Sequence, residues 1–524
     1  MAAERREIFF GLIAPIGINL DAVEAALTRS LERVDYKANA IRLTSIFKEL
    51  GNKYQVSYSD EYDRYQKLIN AGDQLCQDAG RNDILALYGI EHLKLYSPRE
   101  SDDDIPIQVA HIFRQIKRPD EIRTLKEVFG RNVLFLSCYS SKDDRKEHLV
   151  KKLLKTNRGT NRTELESMAL KIMSIDENER DIPSGQRVIE CYPHADFVLD
   201  CTDLSALNKS VDRLIDIYFG HPFISPSRDE YCSYFANAAS YRSLDLSRQV
   251  GAAIFSDDCE VIALGCNEVP KAGGGTYWDD TECDRRDYAL GHDSNQQVKQ
   301  DMARDALVRL QKNWLADKYR NLSPERLSYQ ALESSDAPLR GSMISDVIEY
   351  GRMVHAEMNA ITDAARTRKS TQDTTLYCTT MPCHLCTKLV ISSGIKRVVY
   401  IQPYSKSLVD ELYSDSVAID QGIQPNKVAF ETLKGVTPNG FRIAFRKTAK
   451  RKNDDGTAIS WNPLQSVPTF LSFFPYYRSL EITASAEFDK ALKKVMTGTQ
   501  TELSLKNSET KPGRASKSKS SKPK

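Results

Sequence analysis

At 524 residues, 41% hydrophobic and 28% charged, the chain is too long for one hydrophobic core and divides into two principal domains with smaller additions. The formal charge is +1, and the stretch from Lys506 onward holds seven basic residues and one acid, which leaves the rest at −5 and excludes a strongly basic polyanion binder. Eleven cysteines, an odd number spread thinly, argue against a disulfide framework and suit a reducing compartment.

The opening MAAERREIFFGLIAPIGINL carries an apolar run of about nine residues, too short to span a membrane. It also lacks the basic region, long apolar core and cleavage site of a secretory signal. No later stretch reaches membrane-spanning length, so a cytoplasmic protein without a membrane partner is expected.

Residues 1–225 alternate short apolar runs with helical patterns, the layout of a parallel sheet flanked by helices. Strands are predicted at Ile8–Ile13, Ile84–Tyr88, Val133–Ser137 and Phe197–Leu199. Helices are predicted at Asp21–Leu31, Asp60–Cys76, Pro119–Val128 and Leu204–Tyr218. The first unit reads strand, glycine loop, helix, where a phosphate-binding loop would sit, with Gly11 and Gly17 as candidate nucleotide-loop residues. Such a loop needs Lys and then Ser or Thr after its last glycine, and Ile18 and Asn19 stand there instead. The domain is therefore expected to be P-loop-like but degenerate. A structural turn is the leading reading, residual nucleotide binding the next, and phosphoryl transfer by a nucleotide kinase the least.

Gly220, Pro222 and Pro226 break the helical pattern and mark the start of a second domain, residues 226–450. A helix is predicted over Asp229–Gln249, then strands Val250–Phe255 and Val261–Gly265. A glycine-rich, charged insertion of about residues 270–350 follows. After it come helix Ala356–Arg368, strand Thr375–Cys378, helix Cys383–Ser393 and strand Arg397–Tyr400. Residues 451–500 form a C-terminal extension whose aromatic cluster (Phe470, Phe473, Phe474, Tyr476, Tyr477) is read as packing. Residues 501–524 read as a disordered basic tail.

Chemistry concentrates at HAE, His355–Glu357, and PCHLC, Pro382–Cys386. One imidazole and two thiolates, His355, Cys383 and Cys386, make the three-ligand set of a catalytic Zn2+, whose fourth position is left to water. Two cysteines spaced by two residues at a helix start can face one ion, and the positive end of the helix favours their thiolates. Glu357 is the proton carrier, taking a proton from the attacking water, giving it to N3 of a cytosine ring and helping the C4 amine leave. A redox cysteine pair needs no upstream HxE. A closed structural zinc site needs a fourth ligand, and His384 lies between the cysteines facing elsewhere. Cys378 reads as a buried strand residue.

The stretch beginning RSLDLSRQVGAAIFSDDCEVIALGCNEVPKAGGG at Arg242, with HAEMNAI and LYCTTMPCHLCTKLVISSGIKRVVYIQPYSKS, resembles the deoxycytidylate deaminase family from about Tyr231 to Phe445. The resemblance implies a cytidine deaminase-like α/β/α domain, with Asn267 hydrogen-bonding the nucleotide and Arg248 and Tyr404 as further substrate contacts. With RQIKRPDEIRTLKEVFG and GQRVIECYPHADFVLD, the whole arrangement resembles the two-domain bacterial anti-phage deoxycytidine nucleotide deaminases. That likeness implies conversion of dCTP or dCMP to the uracil nucleotide, a homo-oligomer, and restraint by a regulatory RNA or release by a phage-derived trigger. The competing readings are a polynucleotide cytidine or adenosine deaminase, which wants a basic, aromatic-lined channel, and a non-catalytic nucleotide- or RNA-binding regulator, which has no use for Glu357.

Overall fold

A computed structural model describes residues 7–54, 56–93, 108–157, 159–177, 184–334, 337–404, 407–470 and 477–509. Its frame is two six-stranded sheets, each mostly parallel and flanked by helices. The first sheet contains β1 (Ile8–Ile13), β2 (Lys37–Arg42), β3 (Val109–Ile116), β4 (Val133–Tyr139) and β5 (Phe197–Asp200) in the order β2-β3-β1-β4-β5, all parallel. β1 is buried along its whole length, as a strand covered on both faces must be.

The second sheet contains β6 (Gly251–Phe255), β7 (Val261–Cys266), β8 (Thr375–Thr380), β9 (Arg397–Gln402), β10 (Val417–Ile419) and β11 (Val428–Thr432), ordered β10-β11-β9-β8-β6-β7. β6 runs antiparallel to β7 and β8, while β8, β9, β11 and β10 are mutually parallel. The helices Arg228–Ser240 and Ala356–Arg366 pack on its strands.

The two halves are joined by more than the chain. The two-residue strand Gly435–Val436 leaves the second sheet and pairs antiparallel with β5 of the first. The C-terminal helix Tyr477–Glu509 returns to pack on the first domain's helices Glu61–Ala79, Ile84–Leu93 and Pro119–Phe129. Tyr477 packs edge-on against Phe9 of β1 at 5.9 Å, and Phe470 against Tyr218 at 5.7 Å. Phe473, Phe474 and Tyr476 lie outside the described residues. The helix also carries the chain through residues 501–509 of the segment expected to be a disordered tail, and residues 510–524 lie outside the described residues.

Two predicted elements change and one strand was not predicted. Ile84–Tyr88, expected as a strand, is the first half of the helix Ile84–Leu93. It is apolar on every side because it is buried on every side, and periodicity cannot separate such a helix from a core strand. Its place in the sheet is taken by β3, VAHIFRQI, whose polar residues masked it. Arg114 of β3 is neutralised by Asp21 and Glu24 at 2.5 and 2.6 Å. The helix expected to run to Gln249 ends at Ser240. Beyond it Ser243 Oγ accepts from the Asp245 amide at 3.2 Å and Asp245 Oδ1 from the Ser247 amide at 2.7 Å, the competition by which Ser and Asp end helices. No helix among the described residues is long and apolar enough to cross a membrane.

Candidate active site

His355 is the N-cap of the helix Ala356–Arg366, which puts Glu357 in that helix's first turn. Cys383 is the N-cap of the helix His384–Ser392, with Cys386 one turn on. The first helix lies on β7 and the second follows β8, so the sheet brings two helix N-termini together. The approach depends on Gly265 of β7. A β-carbon there would stand 2.2 Å from the Ala356 carbonyl oxygen and 2.6 Å from the Ala360 nitrogen, so only glycine lets the helix sit flush on the strand.

His355 Nδ1 lies 3.3 Å from Cys386 Sγ and 3.4 Å from Cys383 Sγ. The three ligand atoms fall within 4.8 Å of one another, and among the described residues they are the one group of three or more able to hold a metal ion. Ligand atoms around a tetrahedral zinc stand roughly 3.6 Å apart, from bond lengths near 2.0 and 2.3 Å, so the donor set fits that ion. A hydrogen bond from Cys386 holds the Cys383 thiol down at about 4 against the pull of burial. Burial opposes the charged form of His355, but the bond to Cys383 and its charge raise the imidazole to about 9.

Glu357 is buried, and its Oε2 accepts from Cys386 Sγ at 3.4 Å. The carboxylate is thus beside the ligand set without belonging to it. Cys378 is buried inside β8, outside the cluster. His384 turns from the cysteines toward Glu349, 3.4 Å away.

His355, Cys383 and Glu357 line a cavity of about 330 Å³, within the usual range for small-molecule sites. Asn267, Arg248 and Tyr404 line it too. The Asn267 amide is engaged with backbone at both ends: its Oδ1 accepts from the Val250 amide at 2.7 Å and its Nδ2 donates to the Arg248 carbonyl at 2.8 Å. It thereby fixes the loop that carries Arg248, whose guanidinium lies 5.8 Å from the Tyr404 ring centre.

Sequence reasoning missed the insertion's contribution. Asp287, Asp293, Asn295, Lys299, Val347 and Ile348 all line the cavity. The insertion's two ends are zipped together by the antiparallel bridge Glu268↔Val354, one residue before His355. Glu268 is fully buried, accepts from the Leu244 amide at 3.1 Å, and faces Arg286 at 3.7 Å. Arg286 is buried in this pair and bound to Asp284 at 2.6 Å.

In the first domain, Gly11 lies inside β1 rather than in the loop, where a β-carbon would stand 2.7 Å from Ile116 and Phe135. Gly17 is in the loop at φ +99° against Arg145. The loop is held by its own chain: the Ile16 amide donates to Asp176 Oδ2 at 2.6 Å, Lys117 Nζ donates to the Ala14 carbonyl at 2.6 Å, and Lys117 and Asp176 pair at 2.6 Å.

Residues 226–402 match the cytidine and deoxycytidylate deaminase zinc-binding region. The deoxycytidylate deaminase of Enterobacteria phage T2 is 46% identical over 54 residues, 10% of this chain and 29% of that protein. The deoxycytidylate deaminase of Saccharomyces cerevisiae is 47% identical over 51 residues, 10% of this chain and 16% of that protein. The tRNA-specific adenosine deaminase of Buchnera aphidicola is 26% identical over 125 residues, 20% of this chain and 83% of that protein. The chain thus spans under a third of the length of the deoxycytidylate deaminases it matches. The matched region, residues 226–402, holds His355, Glu357, Cys383 and Cys386, and through it the chain is similar to the cytidine and deoxycytidylate deaminases.

Proposed function

We propose that the protein is a zinc-dependent deaminase of deoxycytidine nucleotides, converting dCTP or dCMP and water to the uracil nucleotide and ammonia. The observation that carries this reading is the buried Glu357 carboxylate beside, and not within, the His355, Cys383 and Cys386 set. Zinc bound there supplies a water acidic enough to be nucleophilic near neutral pH. Glu357 moves the protons: it accepts one from the water, delivers it to N3 as C4 becomes tetrahedral, and carries another to the departing amine. Asn267, Arg248 and Tyr404 hold the nucleotide, and the insertion keeps bulk water from the ring.

In the same reading the reaction drains the dCTP pool in anti-phage defence. The protein acts as a cytoplasmic homo-oligomer, with the first domain responding to a regulatory RNA or a phage-derived trigger. Its support is the two-domain resemblance.

The test is to offer purified protein dCMP, dCTP, CTP and a cytosine-containing single strand, beside Glu357→Ala, and to follow uracil product by chromatography. Conversion of dCTP or dCMP that is lost in the variant supports the reading. Conversion of the strand alone favours a polynucleotide deaminase.

A further inference from the structure

Charge that balances over the whole chain is concentrated at one place. Residues 442–452, running from the helix Pro438–Phe445 into the C-terminal extension, hold six basic residues and no acid. Arg442, Arg446, Lys447, Lys450, Arg451 and Lys452 are all exposed. Lys450 stands 3.8 Å from Asp454, and the other five pair with no carboxylate among the described residues. The segment is nonetheless built. The bridge Lys452↔Ala458 closes a hairpin in which the Asn453 amide donates to the Thr457 carbonyl at 2.8 Å and Gly456 takes φ +87°. Cations crowded on an ordered surface repel one another, and an anionic partner relieves that repulsion.

Arg446, Lys447 and Arg451 line one wall of a groove, and His221 and Pro222, in the turn after the helix Leu204–Tyr218, line the other. Aromatic rings gather at that turn. His221 packs on Trp461 with ring centres 4.8 Å apart, and on Phe223 edge to face at 6.5 Å. The Trp461 indole donates to the Phe219 carbonyl at 3.3 Å, and His221 Nδ1 accepts from the Phe223 amide at 3.3 Å. Phe223 itself is 52% exposed. Cations that track a backbone beside an open ring face are what holds a single strand, whose phosphates meet the charges and whose unpaired bases stack. A duplex keeps its base faces inside, and an acidic peptide offers no row of flat rings, so neither makes use of Phe223.

We propose that this groove binds single-stranded nucleic acid, with phosphates on Arg446, Lys447 and Arg451 and a base on Phe223. None of these residues lines the cavity of His355 and Glu357, so the surface adds a polynucleotide partner whether or not that cavity deaminates a nucleotide.

The experiment follows fluorescence anisotropy of labelled oligo(dT) and oligo(U), strands without cytosine, on the full-length protein as wild type, as the triple variant Arg446→Glu, Lys447→Glu, Arg451→Glu, and as Phe223→Ala. The basic run after Lys506 is present in every variant, so a difference between them reports the groove. The wild type is expected to bind at least one strand, and the tighter of the two names DNA or RNA as the source. The triple variant is expected to bind at least roughly tenfold more weakly, with log Kd rising less steeply with log salt by about 2 in slope. Phe223→Ala is expected to weaken binding roughly fivefold or more with the salt slope unchanged. Should the triple variant unfold at lower urea than the wild type, Arg446→Gln with Arg451→Gln is read by the same slope. A wild type that binds neither strand, cation variants that bind as the wild type does, or a Phe223→Ala affinity equal to the wild type's overturns the assignment. So does polyglutamate that displaces the strand as readily as unlabelled strand does, since it marks a surface for any polyanion.

Discussion

A β-carbon on Gly265 would stand 2.2 Å from the carbonyl oxygen of Ala356, the residue between His355 and Glu357. Closeness of strand to helix at this point is what sets His355 and Glu357 over the edge of the sheet. Gly265→Ala therefore forces the helix Ala356–Arg366 away from β7. The expected outcome is a loss of roughly 1–3 kcal/mol in stability, the usual result of overpacking, and a clear drop in zinc retained after dialysis. Urea unfolding and metal analysis check it; a variant with unchanged zinc content would show that the helix does not depend on this contact.

Glu268 and Arg286 are both almost fully buried and face one another across the root of the insertion. Removing Glu268 leaves Arg286 with Asp284 as partner but takes away the acceptor of the Leu244 amide, which typically costs about 1–3 kcal/mol. Glu268→Ala is expected to loosen residues 270–350, seen as faster proteolytic cleavage within the insertion than in the wild type. Equal cleavage rates would remove the pair from this anchoring role.

Asp176 fills the place in the first-domain loop where an outside anion would sit, accepting from the Ile16 amide and pairing with Lys117. Asp176→Ala strands a buried lysine and is expected to cost about 3–5 kcal/mol, read as a lower unfolding midpoint in urea. A midpoint equal to that of the wild type would show that the loop holds its shape without this carboxylate.

Asp196 is buried next to β5, and burial raises its carboxyl to about 6 although Phe135 donates its amide to Oδ2 at 2.8 Å. The folded state then holds a proton that the unfolded chain releases near pH 4, so this group's contribution to stability is greatest below about pH 4 and is lost as pH rises through about 6. Asp196→Asn keeps the acceptor and removes the titration. Its stability relative to wild type is expected to increase by up to about 3 kcal/mol between pH 4 and pH 6.5. Urea titrations of the pair across that range check it, and a difference that stays flat with pH would contradict the assignment.

The cluster of His355, Glu357, Cys383 and Cys386 was readable because its residues are local: His355 and Glu357 share one helical turn, Cys383 and Cys386 another, and each spacing states its own geometry. The first sheet's β1, β4 and β5 were readable for a similar reason, as short apolar runs bounded by turn residues. What escaped was set by tertiary contact. β3 carries His111, Arg114 and Gln115 inside a central strand, and its polarity makes sense only once Glu7, Asp21 and Glu24 are found against it. Lys299 joins the cavity from 56 residues before His355, and no periodicity links the two. The insertion's role follows from Glu268 meeting Arg286, a pairing that spacing alone does not announce.

The most direct test of the central claim measures zinc content and ammonia release on the same preparations of wild type, Glu357→Ala and Cys383→Ser, with dCMP and dCTP as substrates. The expected result is zinc retained in wild type and Glu357→Ala but lost from Cys383→Ser, with ammonia release falling by at least roughly 10²–10⁴-fold in Glu357→Ala and abolished in Cys383→Ser. Ammonia release that survives in Glu357→Ala at the wild-type rate, or that persists after zinc is lost, would contradict it.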